Sequence, residues 1–242
     1  MIDKEFWEQA HIQQQFKNWS KVREKLPFLK DVINGLKQKK KTNYNALDIG
    51  CSCGNYSIYL AKKGFNTIGI DISKSAIALA NKESKIQKIK NTQFKVVDAN
   101  SFKYDPSHFD LILDFSCFTH IPKKHWKSYL ENYKSMLKDD GIFLLSLWSK
   151  NSTRAYGINP KELKRDFYVK KTSAGNFYNH FFTLKEIKSV FNKYFKILKI
   201  QEKNLISYRK IIPNSDLKLF FVLLKKKNSN SIIEEINEEF YM

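Results

Sequence analysis

Cysteine is scarce in this chain. The 242 residues hold only Cys51, Cys53 and Cys117, an odd set without metal-binding spacing, so neither a disulfide framework nor a zinc site is expected. Arginine is scarcer than the charge suggests, since Arg23, Arg154, Arg165 and Arg209 are the only four among 43 basic residues. Bidentate contacts to phosphate or guanine are therefore few. No charge-free apolar run approaches the ~20 residues of a membrane span. Asp3, Glu5 and Glu8 stand where a secretory signal carries positive charge. Together these absences lead us to expect a soluble, cytoplasmic protein with no membrane partner.

What is abundant is lysine. It accounts for nearly all of a formal charge of +19 and is spread along the chain, with runs at Lys37 to Lys41 and Lys225 to Lys227. A dispersed lysine surface reads first as solvation and second as a site for an acidic partner. Nucleic acid is thus a possible partner, though not the favoured one.

Hydrophobic periodicity divides the chain. Trp7, Ile12, Phe16, Trp19 and Val22 recur at helical spacing, and Pro27 interrupts before Phe28, Val32 and Leu36 resume, so residues 1–42 read as a helical lead-in. From Tyr44 short apolar strands alternate with helical patterns. The strands are Ala46 to Ile49, Thr67 to Ile70, Phe94 to Val97, Leu111 to Leu113 and Ile142 to Leu147. Helices are expected over Ser57 to Lys63, from Ser73, and through Trp126, Tyr129, Leu130, Tyr133 and Leu137 up to a stop at Gly141. This alternation predicts an α/β domain built on a doubly wound, mostly parallel sheet. The domain spans residues 43–227. Residues 149–182 read as an inserted aromatic cap, Thr183 to Glu186 as a capping box, and Phe195 to Ile200 and Leu217 to Leu224 as the last strands. Residues 228–242 form a polar tail.

The loop after the first strand, Gly50-Cys51-Ser52-Cys53-Gly54, admits two readings. As G-x-S-x-G it matches a hydrolase nucleophile elbow, with Ser52, Asp114 and His180 in triad order. Yet an elbow follows several strands and an upstream oxyanion segment, and here neither precedes it. As a glycine loop it sits where a parallel sheet receives a cofactor, with Asp71 about 20 residues on for ribose hydroxyls. Asp98 and Asp114 end the next strands, so carboxylates gather on one rim. That rim disfavours a pyrophosphate and suits a cationic or ribose-bearing ligand.

With these residues in order, the chain resembles the class I S-adenosylmethionine-dependent methyltransferases, over Tyr44 to about Ser149. The resemblance implies a seven-stranded Rossmann-like fold and S-adenosylmethionine as cofactor. It implies that Asp48, Gly50, Cys51, Ser52 and Gly54 hold the methionine part, Asp71 and Ile72 the ribose, and Asp98 and Ala99 the adenine, with Asp114 orienting cofactor or substrate. The sequence departs from the family at Ser52, where glycine is usual. The segment "FDLILDFSCFTHIP" lacks the N-P-P-Y motif, paired glutamates and Pro-Cys nucleophile of macromolecular methyltransferases, and resembles the tellurite-resistance and thiopurine groups. A small-molecule acceptor is therefore expected, with RNA or protein as the alternative. His120 is the candidate base. Trp148, Tyr156 and His180 are candidate substrate contacts, and Trp7, Phe16 and Trp19 are expected to close over the cofactor.

Overall fold

The computed structural model describes residues 4–12, 26–39, 42–152, 167–172, 175–204 and 217–227. Phe16, Trp19, Lys40, Lys41, Tyr156 and the tail 228–242 lie outside them, so the expectations placed there carry no structural statement. Two helices lead in, α1 (Lys4–Ile12) and α2 (Leu29–Gln38). The alternating core follows as β1 (Tyr44–Ile49), α3 (Asn55–Lys62), β2 (Phe65–Asp71), α4 (Lys74–Ile86), β3 (Thr92–Val96), β4 (Phe109–Phe115), α5 (Trp126–Met136) and β5 (Leu137–Trp148). Two 3-10 turns, Phe118–His120 and Lys123–His125, join β4 to α5. A hairpin of β6 (Phe167–Thr172) and β7 (Gly175–His180) precedes α6 (Leu184–Phe191), β8 (Phe195–Asn204) and β9 (Lys218–Lys226).

The expected doubly wound sheet is present, with seven strands in the order β3-β2-β1-β4-β5-β9-β8. The first five are parallel, and β9 runs antiparallel to both β5 and β8. Its central strands are apolar on both faces because helices cover both. Trp126, Tyr129, Leu130 and Tyr133 of α5 join Ile187 and Phe191 of α6 on one side. Leu29, Val32, Ile33 and Leu36 of α2 join Leu60 of α3 on the other. The chain winds outward from β1 to β3 and then returns to β4 beside β1. The crevice beyond the carboxyl ends of β1 and β4 is the position where such sheets take ligands.

Local signals set several boundaries. The Ser73 side chain caps α4 by accepting from Ala76 N at 3.0 Å, and Thr183 caps α6 by accepting from Glu186 N at 3.2 Å. Gly141 departs from expectation. It does not stop α5, which ends at Met136, but lies inside β5 where the pairing with β4 shifts register between Phe109 and Leu111. A side chain there would meet Phe109 O at 2.9 Å, so glycine serves a close strand approach.

Two described lysines of these runs, Lys39 and Lys226, sit at the far end of the sheet. Lys39 pairs with Asp140 at 2.9 Å and Lys226 with Asp139 at 2.9 Å, both at the entry of β5. Among the described residues, no helix is long and apolar enough to cross a membrane.

Candidate active site

The loop from Gly50 to Gly54 turns sharply out of β1 into α3. Gly54 has φ +78°, and a Cβ on it would press into the Phe94 ring at 2.7 Å. Gly50 has φ +65° and faces Cys117, whose Cβ would lie 2.9 Å from an added one. Both glycines are therefore required by conformation and by space. Between them Ser52 adopts φ 50°, a left-handed backbone that costs a non-glycine residue roughly 1–2 kcal/mol. Two bonds offset this cost. Ser52 N donates to Asp71 Oδ2 at 2.9 Å, and the Ser52 hydroxyl meets His11 Nε2 at 2.9 Å.

No hydrolase triad is assembled. Asp114 and His180 have other partners, and His11 directs its second nitrogen to the Trp7 carbonyl at 2.8 Å. Ser52 is thus a loop residue whose hydroxyl is held by α1. Burial pushes the Cys51 and Cys117 thiols well above their ordinary range, which makes both poor nucleophiles.

Buried carboxylates line the rim. Asp48, 1% exposed, accepts from the Ser57 hydroxyl at 2.6 Å. Burial, with smaller contributions from Asp71 and Asp114, pushes its carboxyl up to about 7. Burial also raises Asp71, against the opposing positive influence of His11. Asp71 ties two segments together, accepting from Ser52 N and, at 2.9 Å, from Ser73 N. Ile72 lies between them, half-buried. Asp98, also half-buried, accepts from Asn100 N at 2.8 Å, while the neighbouring Ala99 is held by a bond from Tyr133 Oη to its carbonyl at 2.7 Å. Beside Asp98, Asn100 Oδ1 is buried without a partner among the described residues.

Asp114 differs from the expectation of a ligand-facing acid. It is fully buried, and its oxygens take Cys117 N at 2.7 Å, Phe118 N at 3.1 Å and Tyr129 Oη at 2.5 Å. It anchors the loop after β4, because that loop leaves two backbone donors buried at the strand's end. Burial holds its carboxyl up at about 6 despite these bonds.

That loop presents His120. Its Nδ1 lies 2.9 Å from the Tyr178 carbonyl in β7. A carbonyl only accepts, so Nδ1 carries the hydrogen and a neutral ring keeps its lone pair on Nε2. Burial lowers the imidazole to about 4, so the ring is neutral at pH 7. Trp7 meets it edge-on at 4.8 Å and Trp148 at 5.8 Å. The cage therefore draws on α1, the β4 loop and the end of β5.

His180 corrects a second expectation. Its Nε2 lies 3.0 Å from Glu186 Oε2 and its ring packs on Trp126 at 4.8 Å, on the side of β7 toward α5 and α6. Strand alternation explains why it turns from the cage. The residues that sequence reasoning missed come mainly from α1. Glu8 accepts from Ser73 Oγ at 2.8 Å and from Ser75 Oγ at 2.5 Å, fastening α1 to the start of α4. His11 reaches the loop. The four-residue spacing from Trp7 to His11 puts both on one helix face, a signal available in the sequence.

A family model described as a methyltransferase domain matches residues 40–218. The chain belongs to this methyltransferase family. An uncharacterized methyltransferase of Schizosaccharomyces pombe is 30% identical over 121 residues, which cover 50% of this chain and 83% of that protein. Norajmaline N-methyltransferase of Rauvolfia serpentina is 32% identical over 123 residues, 50% of this chain and 42% of its own. Among solved structures, a SAM-dependent methyltransferase from Methanosarcina mazei superposes with TM-score 0.67 at 23% identity, covering 84% of this chain and 99% of that one. The chain is thus a methyltransferase-family member with the Rossmann-like fold, and S-adenosylmethionine is the cofactor that its sequence resemblance implies.

The residues present fit that cofactor. The two glycines leave a cradle that a Cβ would fill, Asp48 and Asp71 offer negative charge to a cation, and Asn100 Oδ1 is an unused acceptor beside Asp98. When bound, the cofactor supplies a methyl group already activated by positively charged sulfur. A cationic ligand favours the ionised form of Asp48. Because the free-enzyme value is about 7, S-adenosylmethionine affinity should be about tenfold tighter at about pH 8 than at about pH 6, read by calorimetric titration. Equal affinities at the two values would remove Asp48 from the binding step.

Proposed function

We propose that this enzyme transfers a methyl group to a nitrogen, oxygen or sulfur of a flat small-molecule acceptor held between Trp7 and Trp148, with His120 Nε2 receiving the acceptor's proton. The placement of His120 carries the reading, since the bond to Tyr178 O puts the ring hydrogen on Nδ1, makes Nε2 the basic nitrogen, and sets the ring against Trp7 and Trp148. In this reading Asp114 fixes the loop, Trp7 and Trp148 exclude water and align the acceptor in line with the methyl donor, and His120 removes one proton. A weak base suffices, because a nitrogen or oxygen becomes strongly acidic as it donates its electron pair. Asp48, Gly50, Ser52, Gly54, Asp71 and Asp98 bind the cofactor.

The positions of Lys39 and Lys226 support a small molecule over RNA or protein. Lys39 and Lys226 are paired with aspartates at the end of the sheet remote from the cage. A polyanion spread over them would not reach His120.

The testing experiment is thermal unfolding with S-adenosylhomocysteine, with NADH as the control. At 100 times its dissociation constant the ligand should add roughly 2.7 kcal/mol, a rise of a few degrees in Tm. Asp71→Asn should weaken affinity by about tenfold to a hundredfold, because one charged partner of the ribose is lost while an acceptor for Ser52 or Ser73 remains. A hundredfold loss leaves about 0.4 kcal/mol at the same ligand concentration. An undiminished shift in folded Asp71→Asn would move the ribose elsewhere, and no shift in the wild type would defeat the cofactor assignment.

A further inference from the structure

Asn179 is fully buried, and among the described residues neither Oδ1 nor Nδ2 has a hydrogen-bond partner. A carboxamide in this state is unfavourable relative to an apolar side chain of similar size. Its surroundings indicate what would satisfy it. Side chains alternate along β7, so Tyr178 and His180 share one face and Asn179 takes the other. His180 faces Trp126 and Glu186. Phe181 follows the same two-residue period as Asn179, and its ring meets Trp148 at 5.7 Å. Trp148 in turn borders His120, whose Nδ1 hydrogen is received by the residue next to Asn179. Helix α1, which brings Trp7, also packs against β7. The unpaired carboxamide therefore lies on the Trp148 side of the hairpin, one residue from the anchor of the imidazole.

We propose that Asn179 is a specificity-determining residue of the acceptor pocket, pairing its carboxamide with an N–H and an adjacent C=O on the acceptor, as a lactam or cyclic imide edge presents them. This rests on the acceptor pocket proposed above. A carboxamide carries one acceptor and a coplanar donor, so its full complement is the same pair reversed, satisfied by two hydrogen bonds at once. A flat ring between two tryptophans presents such an edge in its own plane. A purely apolar acceptor leaves both Asn179 atoms unpaired and gains neither bond, so it binds more weakly than one that presents the matching edge.

The test compares wild type with Asn179→Leu, which is close in volume and has no polar atoms. Tm is measured with and without S-adenosylhomocysteine. Binding of quinolin-2(1H)-one, a lactam, and of 2-methoxyquinoline, whose edge is blocked, is followed by tryptophan fluorescence in saturating S-adenosylhomocysteine. The expected wild type binds the lactam about tenfold or more tighter than the methyl ether. The expected variant binds the two alike, keeps its shift with S-adenosylhomocysteine, and melts above the wild type. A variant that melts lower overturns the proposal, because the carboxamide is then paired in the free protein. Wild type without lactam preference, including binding of neither probe, or a variant that retains the preference, also overturns it. When one of these overturning results comes with no stabilisation of either protein by S-adenosylhomocysteine, the failure lies in the proposed cofactor site; when it comes with stabilisation of both, only the role of Asn179 is lost.

Discussion

Asp114→Ala loses about 4 kcal/mol of stability, measured as a fall in the denaturant midpoint at unchanged slope. The carboxylate is fully buried and receives Cys117 N, Phe118 N and Tyr129 Oη. Alanine leaves all three donors buried, and each orphaned donor costs roughly 1–3 kcal/mol, moderated by relaxation of the loop. Against a typical total of about 5–15 kcal/mol, the change is severe. Asp114→Asn keeps one carbonyl acceptor and should lose roughly half as much. The pH dependence gives an independent readout. The folded value, about 6, lies above the ordinary 3.8, so the native state binds this proton more tightly than the unfolded chain does. Stability from this group is fully present below about pH 4 and declines as pH rises to about 6, where it levels off. The alanine variant loses this share of the slope while Asp48 and Asp71, raised in the same direction, keep theirs, and an unchanged slope would show that Asp114 contributes none of it.

His120→Gln lowers kcat by roughly a hundredfold, at the modest end of the 10²–10⁴ range for general bases because the imidazole is weakly basic. Glutamine retains an N–H for the Tyr178 carbonyl, so the hairpin contact survives while the lone pair on Nε2 is lost. The affinity for S-adenosylhomocysteine should not change, which separates loss of a base from collapse of the site. In the wild type, kcat at saturating cofactor should be flat across about pH 6 to 8 and fall only toward about 4, the value set by burial. An inflection near the ordinary histidine value would place His120 in a wetter site. A variant with normal kcat would leave the acceptor to shed its proton unaided.

Residues that act through their own segment were legible in the sequence. The β1 apolar run, Asp71 at the end of β2, the Ser73 cap and the Thr183 cap each declare themselves within a few residues. Gly141 misled because a glycine after a helical pattern usually ends it, and the register shift that needs it depends on Phe109, a strand away. His180 and Asp114 misled for a related reason. Residue type and position at a strand end do not reveal which way a side chain turns, and both found partners inside the protein. Asn179 carried no signal at all, since an asparagine in a polar, aromatic segment reads as a surface turn until its burial is known. The reach of α1 was legible only as a pattern of aromatics; its hold on the site depends on Glu8 and His11, which meet residues more than forty positions away.

That single helix links two parts of the rim. Trp7 meets the His120 ring while His11, one turn later, meets Ser52 in the loop after β1. If that loop holds the cofactor and that ring faces the acceptor, as proposed above, one movement of α1 opens both compartments, and thermodynamic reciprocity makes each ligand that holds the helix down tighten its companion. The two compartments would then share a single door, as in an airlock.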